Sequence, residues 1–273
     1  MRTADVVRRG EDYLARHDVD APRANAEALL ASVLGVDPSS IRTYDVEPSA
    51  REARAYGRAL CRRATGVPLQ HITGVQAFRY LALRVRQGVF VPRPETEVLV
   101  DVALARVEGL AAPTVADACT GTGAIALAIA QERPGARVFA ADRSWEAAAL
   151  ARENAAALGL DVGILQGDLL EAIDGPLDLV TCNPPYVPLE ARASLPREVL
   201  ADPAPAVFGG PEIVGRVYAQ AFTRLRAGGW VVVEIEESTA DEVEALARET
   251  GYDRVSVHTD LAGRPRVVAA RRP

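Results

Sequence analysis

Lysine is absent from the sequence, so every basic residue is arginine. The 31 basic residues are outnumbered by 37 acidic ones, which gives a net charge of −6. A lack of lysine is typical of a GC-rich genome. A net-negative chain without a basic tract gains no general attraction for nucleic acid. We therefore expect no direct nucleic-acid partner.

Cysteines and long apolar runs are also scarce. The three cysteines, Cys61, Cys119 and Cys182, are too few and too scattered for a disulfide framework or a zinc site. No apolar run approaches the ~18–20 residues that span a bilayer. The first residues lack the apolar core of a signal peptide. We expect a cytoplasmic protein with no metal and no membrane partner.

The rest of the composition is that of folded domains. Hydrophobic residues make up 49% of the 273-residue chain, which excludes intrinsic disorder. This length suits a small domain joined to a larger α/β one. No internal repeat or low-complexity segment is present.

The first 65 residues show helical patterns only. Thr3 is a candidate cap for a first helix that continues to about residue 17, and Pro22 is suited to the first turn of a second helix. Ser49 and Glu52 have the spacing of a capping box, which predicts a third helix to about residue 64. These patterns predict a small helical domain over residues 1–74, of the kind that often docks partners.

The period changes from helical to two between Phe78 and Val91, around Gln87-Gly88. This alternation predicts a β-hairpin within a linker that spans residues 75–92. A further domain then covers residues 93–273. Its first helix is expected to run from Glu95 to about residue 107.

Strands and helices alternate after residue 112. The predicted strands cover residues 114–118, 137–141, 162–166, 177–182, 230–235, 254–258 and 266–270. The predicted helices cover residues 123–132, 144–158, 212–226 and 239–250. This order predicts a Rossmann-like, mostly parallel sheet with helices on both faces. Because only a turn separates the last two strands, one of them must be antiparallel, as in class I methyltransferases rather than dehydrogenases.

The first strand of this domain runs into a glycine-containing loop. It begins at Asp117 and continues through Cys119, Thr120, Gly121, Thr122 and Gly123. Glycines in this position permit a tight turn and the close approach of a ligand. The same spacing also fits a dinucleotide-binding loop, or a strand–helix turn with no ligand.

Two further strands end in acidic residues. Asp142 ends the second strand and could accept both hydroxyls of a ribose, or could cap the following helix. Asp168 ends the third strand, followed by Leu169, and could accept an adenine amino group or could likewise be a helix cap. A later acidic cluster is expected to be a solvated strand end and helix start: Glu234, Glu236, Glu237, Asp241 and Glu242.

The fourth strand ends in Asn183-Pro184-Pro185-Tyr186. The tandem prolines remove backbone donors and hold the chain extended. The Asn183 side-chain carbonyl and the Pro184 backbone carbonyl are then available to accept two N–H bonds from a planar NH₂ group, and Tyr186 offers a flat face. This arrangement is suited to turning the nitrogen of an amide or an exocyclic amine toward an electrophile.

Three further segments narrow the interpretation. With Asn183–Tyr186, the strings at residues 68–74 (PLQHITG), 91–97 (VPRPETE) and 260–266 (DLAGRPR) resemble the HemK/PrmC family over essentially the whole chain. The resemblance implies a class I S-adenosylmethionine-dependent methyltransferase with a small N-terminal helical domain. Its implied reaction is N5-methylation of the glutamine amide in the Gly-Gly-Gln motif of class 1 peptide-chain release factors.

The family's functional residues carry over by position. The resemblance implies that the loop from Cys119 to Gly123, together with Asp117, Asp142, Asp168, Leu169 and Asn183, binds S-adenosyl-L-methionine. It implies that Asn183, Pro184, Pro185 and Tyr186 hold the substrate amide and that the helical domain docks the release factor. The sequence departs from the family at residues 209–213 and 235–237.

Alternative functions remain open from the sequence. The departures suit a methyltransferase of a small-molecule or peptide amide on the same fold. An adenine-N6 nucleic-acid methyltransferase shares the four-residue motif, and a nicotinamide-dependent oxidoreductase shares the glycine loop. A non-catalytic docking protein is the remaining possibility.

Overall fold

The computed structural model describes residues Met1–Pro273. The first helices and strands are α1 (Thr3–Ala15), α2 (Pro22–Leu34), α3 (Ala50–Ala64), α4 (Leu69–Thr73), β1 (Val75–Phe78), β2 (Leu81–Arg84), α5 (Glu97–Arg106), β3 (Thr114–Ala118), α6 (Ala124–Glu132) and β4 (Arg137–Asp142). The later ones are α7 (Trp145–Leu158), β5 (Val162–Gln166), β6 (Leu177–Cys182), α8 (Arg197–Leu200), α9 (Ala204–Val207), α10 (Pro211–Arg224), β7 (Leu225–Glu234), α11 (Ala240–Thr250), β8 (Asp253–Thr259) and β9 (Pro265–Arg271). None of the helices is long and apolar enough to cross a membrane.

The chain forms two compact units. One consists of residues Met1–Val75 together with Pro196–Ala201, and the other of Gln76–Leu195 together with Asp202–Pro273. The smaller unit is helical and has its own core, to which Leu14, Leu30 and Tyr56 contribute. The Tyr56 hydroxyl donates to the Ala26 carbonyl at 3.2 Å.

Two of the three predicted helix starts in this unit are confirmed. Pro22 begins α2, and Ser49 and Glu52 form both bonds of a capping box at the start of α3. The prediction that Thr3 caps α1 is wrong, because Thr3 is itself helical. Its hydroxyl instead donates to the Val46 carbonyl at 2.9 Å and so joins α1 to the segment before α3.

A buried arginine connects the two stretches of sequence in the helical unit. Arg63 on α3 donates to Asn25 Oδ1 at 2.7 Å and to the Val67 carbonyl at 3.3 Å. Its guanidinium also pairs with Glu198 on α8. Residues 196–201, which follow the strand β6 by a long loop, are thereby part of the helical unit, and no sequence pattern predicted this.

The larger unit is built on a seven-stranded sheet of order β5-β4-β3-β6-β7-β9-β8. β9 is antiparallel to both β7 and β8, and the other neighbours are parallel. Successive residues of β3 face opposite sides: Val115 packs with α5, α6 and α7, whereas Ala116 packs with α10 and α11. The predicted Rossmann-like sheet with an antiparallel terminal strand is confirmed.

The predicted strand limits hold to one or two residues, except for β7. This strand begins at Leu225 rather than at residue 230, and α10 accordingly ends at Arg224. An irregularity in the β6–β7 register allows the longer strand. Gly228 has φ +81° there and donates to the Arg272 carbonyl at 2.8 Å.

The predicted position of the hairpin is wrong. Its strands are β1 and β2, and its turn contains Arg79 and the 77% exposed Tyr80 rather than Gln87-Gly88. Buried residues continue to alternate with exposed ones as far as Val85. The period-two pattern in the sequence therefore extends beyond the paired strand β2, which ends at Arg84. The backbone of Arg84 bonds the Asn154 side chain, at 2.8 Å from its N–H and 3.1 Å from its carbonyl. The Asn154 side-chain amide thus makes the hydrogen bonds to the Arg84 backbone that the expected second strand would have made.

Arg79 fastens the hairpin turn to the rest of the larger unit. Its guanidinium bonds both oxygens of Glu132 and contacts Asp101 at 2.7 Å, while its backbone N–H donates to Glu97 at 2.9 Å. The hydrogen bonds to Glu132 are the main cause that raises the pKa of Arg79, and Asp101 adds to it.

We expect Arg79→Met to lower the free energy of unfolding by about 2–4 kcal/mol, because it leaves the largely buried Glu132 carboxylate unpaired. Arg86→Met is the matched control. Arg86 pairs with Glu153 at an exposed position, where an ion pair contributes less than about 1 kcal/mol. Urea unfolding of both variants measures the difference. Equal losses would show that Arg79 is no anchor.

Candidate active site

The site residues meet where the parallel strands end. Ala118 of β3 is in register with Ala141 of β4 and with Cys182 of β6. The loops that follow these three strands therefore leave the sheet side by side. Ligands of open α/β sheets bind at this edge.

The loop after β3 depends on its two glycines in different ways. Gly123 has φ +85°, and a Cβ there would lie 3.0 Å from Leu127 and 3.3 Å from Ala151. Its missing side chain is therefore required by packing. Gly121 has φ +58°, and a Cβ there would meet no atom within 4 Å. The backbone at Gly121 thus faces open space, as a backbone that a ligand approaches closely must.

Asp117 supports this loop from beneath. The side chain is fully buried and accepts hydrogen bonds from the hydroxyls of Thr120 and Thr181, both at 2.7 Å. Burial raises the pKa of Asp117 to about 7 against these two hydrogen bonds, and the nearby Asp142 raises it further. Through the bond to Thr120, Asp117 holds the glycine loop to β3.

Asp142 lies beside the loop. Its two oxygens accept from the backbone N–H groups of Gly121 at 2.8 Å and of Ser144 at 2.9 Å. Burial raises the pKa of Asp142, and these two bonds oppose the shift. The side chain thus holds both the glycine loop and the start of α7. Each of its oxygens retains a lone pair for a further donor.

Asp168 lies at the rim, after β5. It pairs with Arg216 of α10 at 2.5 Å and is partly exposed. The next residue, Leu169, is buried with φ +55°, a conformation that few residues other than glycine adopt. Cys119, at the start of the glycine loop, is also left-handed with φ +57°.

The four-residue motif is fastened at both ends. The Asn183 side-chain NH₂ donates to the Thr96 hydroxyl at 3.3 Å, and its carbonyl oxygen accepts no hydrogen bond from the protein. The Tyr186 hydroxyl donates to Glu234 at 3.0 Å. Gly209 lies against the middle of the motif, because a Cβ there would be 2.2 Å from the Pro185 carbonyl oxygen.

Sequence reasoning missed three supporting residues: Thr96, Gly209 and Glu234. The expectation that Glu234 is solvated is wrong, since the residue is 1% exposed at the end of β7. Burial raises the pKa of Glu234 to about 7, and the Thr96 and Tyr186 hydroxyls and Arg266 oppose the shift. The one sequence feature that could have pointed to any of the three is that Thr96 lies within the string at residues 91–97 that resembles the family.

The same string reaches the loop that follows the motif. Arg93 pairs with the buried Asp202, which also accepts from the Val91 N–H at 3.2 Å. Burial raises the pKa of Asp202 to about 6, opposed by Arg93. The segment before α5 therefore contacts both Asn183 and the loop beyond Tyr186.

The third family string, near the C-terminus, is organised by Asp260. Its carboxylate accepts from the backbone N–H groups of Ala262 at 2.9 Å and Arg264 at 3.0 Å, and pairs with Arg264 and Arg266. The backbone bond from Arg264 is the main cause that lowers the pKa of Asp260 to about 2. Arg266 is thereby held near Tyr186 and Glu234.

The strand order, the glycine loop and the acids at the strand ends define a class I S-adenosylmethionine-dependent methyltransferase. Solved structures agree on the fold. The chain is similar to the 16S rRNA N2 G1207 methyltransferase of T. thermophilus in complex with AdoMet and guanosine, with a TM-score of 0.57 and 19% identity. This likeness covers 73% of the present chain and 50% of the other.

The chain belongs to the release factor glutamine methyltransferase family. Family models of the PrmC N-terminal domain and of the methyltransferase small domain match residues 5–74 and 85–207. The release factor glutamine methyltransferase of Mycolicibacterium smegmatis is 42% identical, over 100% of this chain and 98% of the relative. That of Deinococcus radiodurans is 38% identical, over 100% and 99%.

We expect the free energy of unfolding, measured by urea denaturation without cofactor, to fall by about 1–3 kcal/mol between pH 5.5 and pH 8. Asp117, Asp202 and Glu234 have folded-state pKa values raised to about 7, 6 and 7. A raised carboxyl pKa means that the folded state binds protons more tightly, so the stability is lost as pH rises through that pKa.

His258 acts in the opposite direction, because burial lowers its pKa. Asp260 does not contribute to this window, since its pKa lies near 2. Glu234→Gln should flatten the pH dependence. An unchanged slope in this variant would contradict the assignment of a raised pKa to Glu234.

Proposed function

We propose that this enzyme methylates N5 of the glutamine amide in the Gly-Gly-Gln motif of class 1 peptide-chain release factors, in the cytoplasm. The observation that carries the proposal is the orientation of Asn183. Its NH₂ group is held by Thr96, so its unpaired carbonyl is directed away and can accept an N–H from a substrate amide. The family relationship supplies the identity of that amide.

The residues at the strand ends suit the cofactor. The open space at Gly121 permits the close approach of a ligand to the backbone, and Thr120, Thr122 and Gly123 complete the loop. We assign Asp142 to the ribose hydroxyls, for which it has lone pairs left over. Asp168 and Leu169 are assigned to contact the adenine of the cofactor. Cys119 and Asn183 are assigned to contact the cofactor between its adenine and its ribose.

The contribution of the protein to the reaction is to position the substrate amide relative to the methyl group of the cofactor. When bound, S-adenosyl-L-methionine supplies a methyl group on a positively charged sulfur. The Asn183 carbonyl and the Pro184 backbone carbonyl each accept one N–H of the glutamine NH₂ group, which turns its nitrogen toward that methyl. Pro185 keeps the two acceptors in place, and Tyr186 packs on the amide plane. Orientation of this kind accounts for much of the rate of a reaction between two bound groups.

The central test is mass spectrometry of purified release factor after incubation with the enzyme and cofactor. We expect a gain of one methyl group on the glutamine of the Gly-Gly-Gln peptide. Asn183→Ala should lower turnover by a factor of ~10² while calorimetry shows cofactor affinity largely intact, because the contact that orients the substrate amide is lost and the glycine loop and Asp142 remain. Methylation of a small amide but not of the release factor would contradict the proposal.

The helical unit is assigned to docking the release factor. Arg51, Arg54, Arg58 and Arg62 lie on one face of α3, since their spacing of three or four residues returns to the same side of a helix. All four are exposed, and none forms an ion pair. In a chain of net charge −6, this face is suited to an acidic surface of the protein substrate.

We expect Arg54→Glu combined with Arg58→Glu to raise KM for whole release factor by about tenfold, since like charges then face each other across the contact. KM for a short Gly-Gly-Gln peptide should not change, because such a peptide lacks the acidic protein surface that α3 is assigned to contact. Arg254→Glu, an exposed charge on the sheet unit, is the control. An equal effect on protein and peptide would contradict the docking role.

A further inference from the structure

The turn that follows β5 has a strained backbone. Leu169 is 4% exposed and has φ +55°, a left-handed conformation that a leucine rarely adopts and that lowers stability. Its side chain belongs to the core on the α10 side of the sheet. A strained conformation of this kind persists only where the surrounding structure holds it. The contacts on either side of Leu169 therefore decide the form of the turn.

The two ends of the turn are held by different elements. The Gly167 N–H donates to the Asp142 carbonyl at 3.0 Å, and a Cβ on Gly167 would lie 2.8 Å from that of Ala172. At the other end, the Leu170 N–H donates to Gln220 Oε1 on α10 at 2.9 Å. Leu170 is fully buried, and a buried N–H without an acceptor is costly. Gln220 therefore fixes where the turn ends.

A second side chain of α10 holds the carboxylate of the turn. Arg216 Nη2 donates to Asp168 Oδ2 at 2.5 Å, and it lies four residues before Gln220, on the same face of the helix. Asp168 Oδ1 accepts no hydrogen bond from the protein, and the Leu169 N–H donates none. The turn thus presents one free acceptor next to one free donor.

This pair of groups is complementary to one edge of adenine. Adenine carries an amino group, which donates, beside a ring nitrogen, which accepts. The Asp168 carboxylate can accept from the first, and the Leu169 N–H can donate to the second. Hypoxanthine has a carbonyl oxygen in place of the amino group and a proton on the neighbouring nitrogen, so it presents the reverse pattern. A turn held in the observed form can therefore distinguish the two bases.

We propose that Gln220 and Arg216 are positioning residues that hold this turn in the form that binds the adenine of the cofactor. Gln220 fixes the backbone of the turn, and Arg216 fixes the carboxylate. The inference rests on the part of the proposed function that assigns Asp168 and Leu169 to the adenine. It extends that assignment to two residues of α10 that act through the turn.

Gln220→Met and Gln220→Glu form the matched test, with purified full-length enzyme. Calorimetry compares S-adenosyl-L-homocysteine, the demethylated cofactor, with its inosine analogue, and the wild type should prefer the adenine compound by at least about tenfold. Methionine has a similar length but offers no oxygen acceptor, so affinity for the adenine compound should fall about tenfold and the preference should shrink below about threefold. Glutamate keeps an oxygen acceptor for the Leu170 N–H and should retain both within about threefold.

Arg216→Met tests the second contact, with Arg248→Met as its control. Arg216→Met should weaken binding of the adenine compound about threefold, because a partly exposed ion pair holds the carboxylate only weakly. Arg248 pairs with Glu244 within α11, and its loss should leave binding unchanged. In every variant kcat at saturating S-adenosyl-L-methionine, measured on a Gly-Gly-Gln peptide, should stay at the wild-type value. KM for the cofactor should rise with the dissociation constant.

Each outcome supports or overturns the inference. A Gln220→Met enzyme that binds the adenine compound as the wild type does, or that loses both compounds equally, overturns the positioning role. A glutamate variant as impaired as the methionine variant overturns it too. A wild type without a preference for adenine contradicts this inference, even if it methylates the release factor. A wild type with that preference that leaves the release factor unmodified overturns the proposed substrate and supports the assignment of the turn.

Discussion

The buried carboxylate of Asp117 joins the two halves of the site. It lies on β3, an inner strand of the sheet, and bonds Thr120 in the glycine loop and Thr181 on β6, one residue before β6 ends. The loop assigned to the cofactor and the motif assigned to the substrate amide are therefore fixed to the same side chain. If the two assignments hold, this shared anchor fixes the glycine loop relative to the end of β6, and a transfer between two bound molecules depends on such positioning.

Other buried carboxylates hold neighbouring segments together along this edge of the sheet. Asp142 holds the glycine loop to α7, Glu234 holds Tyr186, and Asp202 holds the segment that carries Thr96. Each of these acids is buried enough for its pKa to rise, which means that folding pays for its ionised form. An ionised carboxylate only accepts hydrogen bonds, so it fixes the direction of every donor around it. The site gains orientation at the expense of stability.

Sequence patterns predicted the elements whose periodicity reflects packing. The strands from β3 to β6 and the capping box of α3 lie where alternation and spacing placed them. The pattern failed at the hairpin, because the Asn154 side chain replaces a strand partner for Arg84. It also failed for residues 196–201, whose place in the helical unit depends on Arg63, far away in the sequence. Side-chain contacts that replace regular backbone pairing leave no periodic pattern in the sequence.

The residues of the candidate site also divide into those that the sequence predicts and those that it does not. Residues assigned to contact the ligand, such as Gly121, Asp142 and Asn183, belong to short motifs because the assigned chemistry demands a fixed spacing. The residues behind them reach the site from distant segments: Thr96 precedes α5 and Glu234 ends β7. Glu234 stands in an acidic stretch whose other members are more exposed, so composition alone hides it. What distinguishes it is burial beside Tyr186, a property of the sheet order that brings β7 next to β6. The hydrogen bond that holds Tyr186 is thus decided by topology as much as by the motif that contains it.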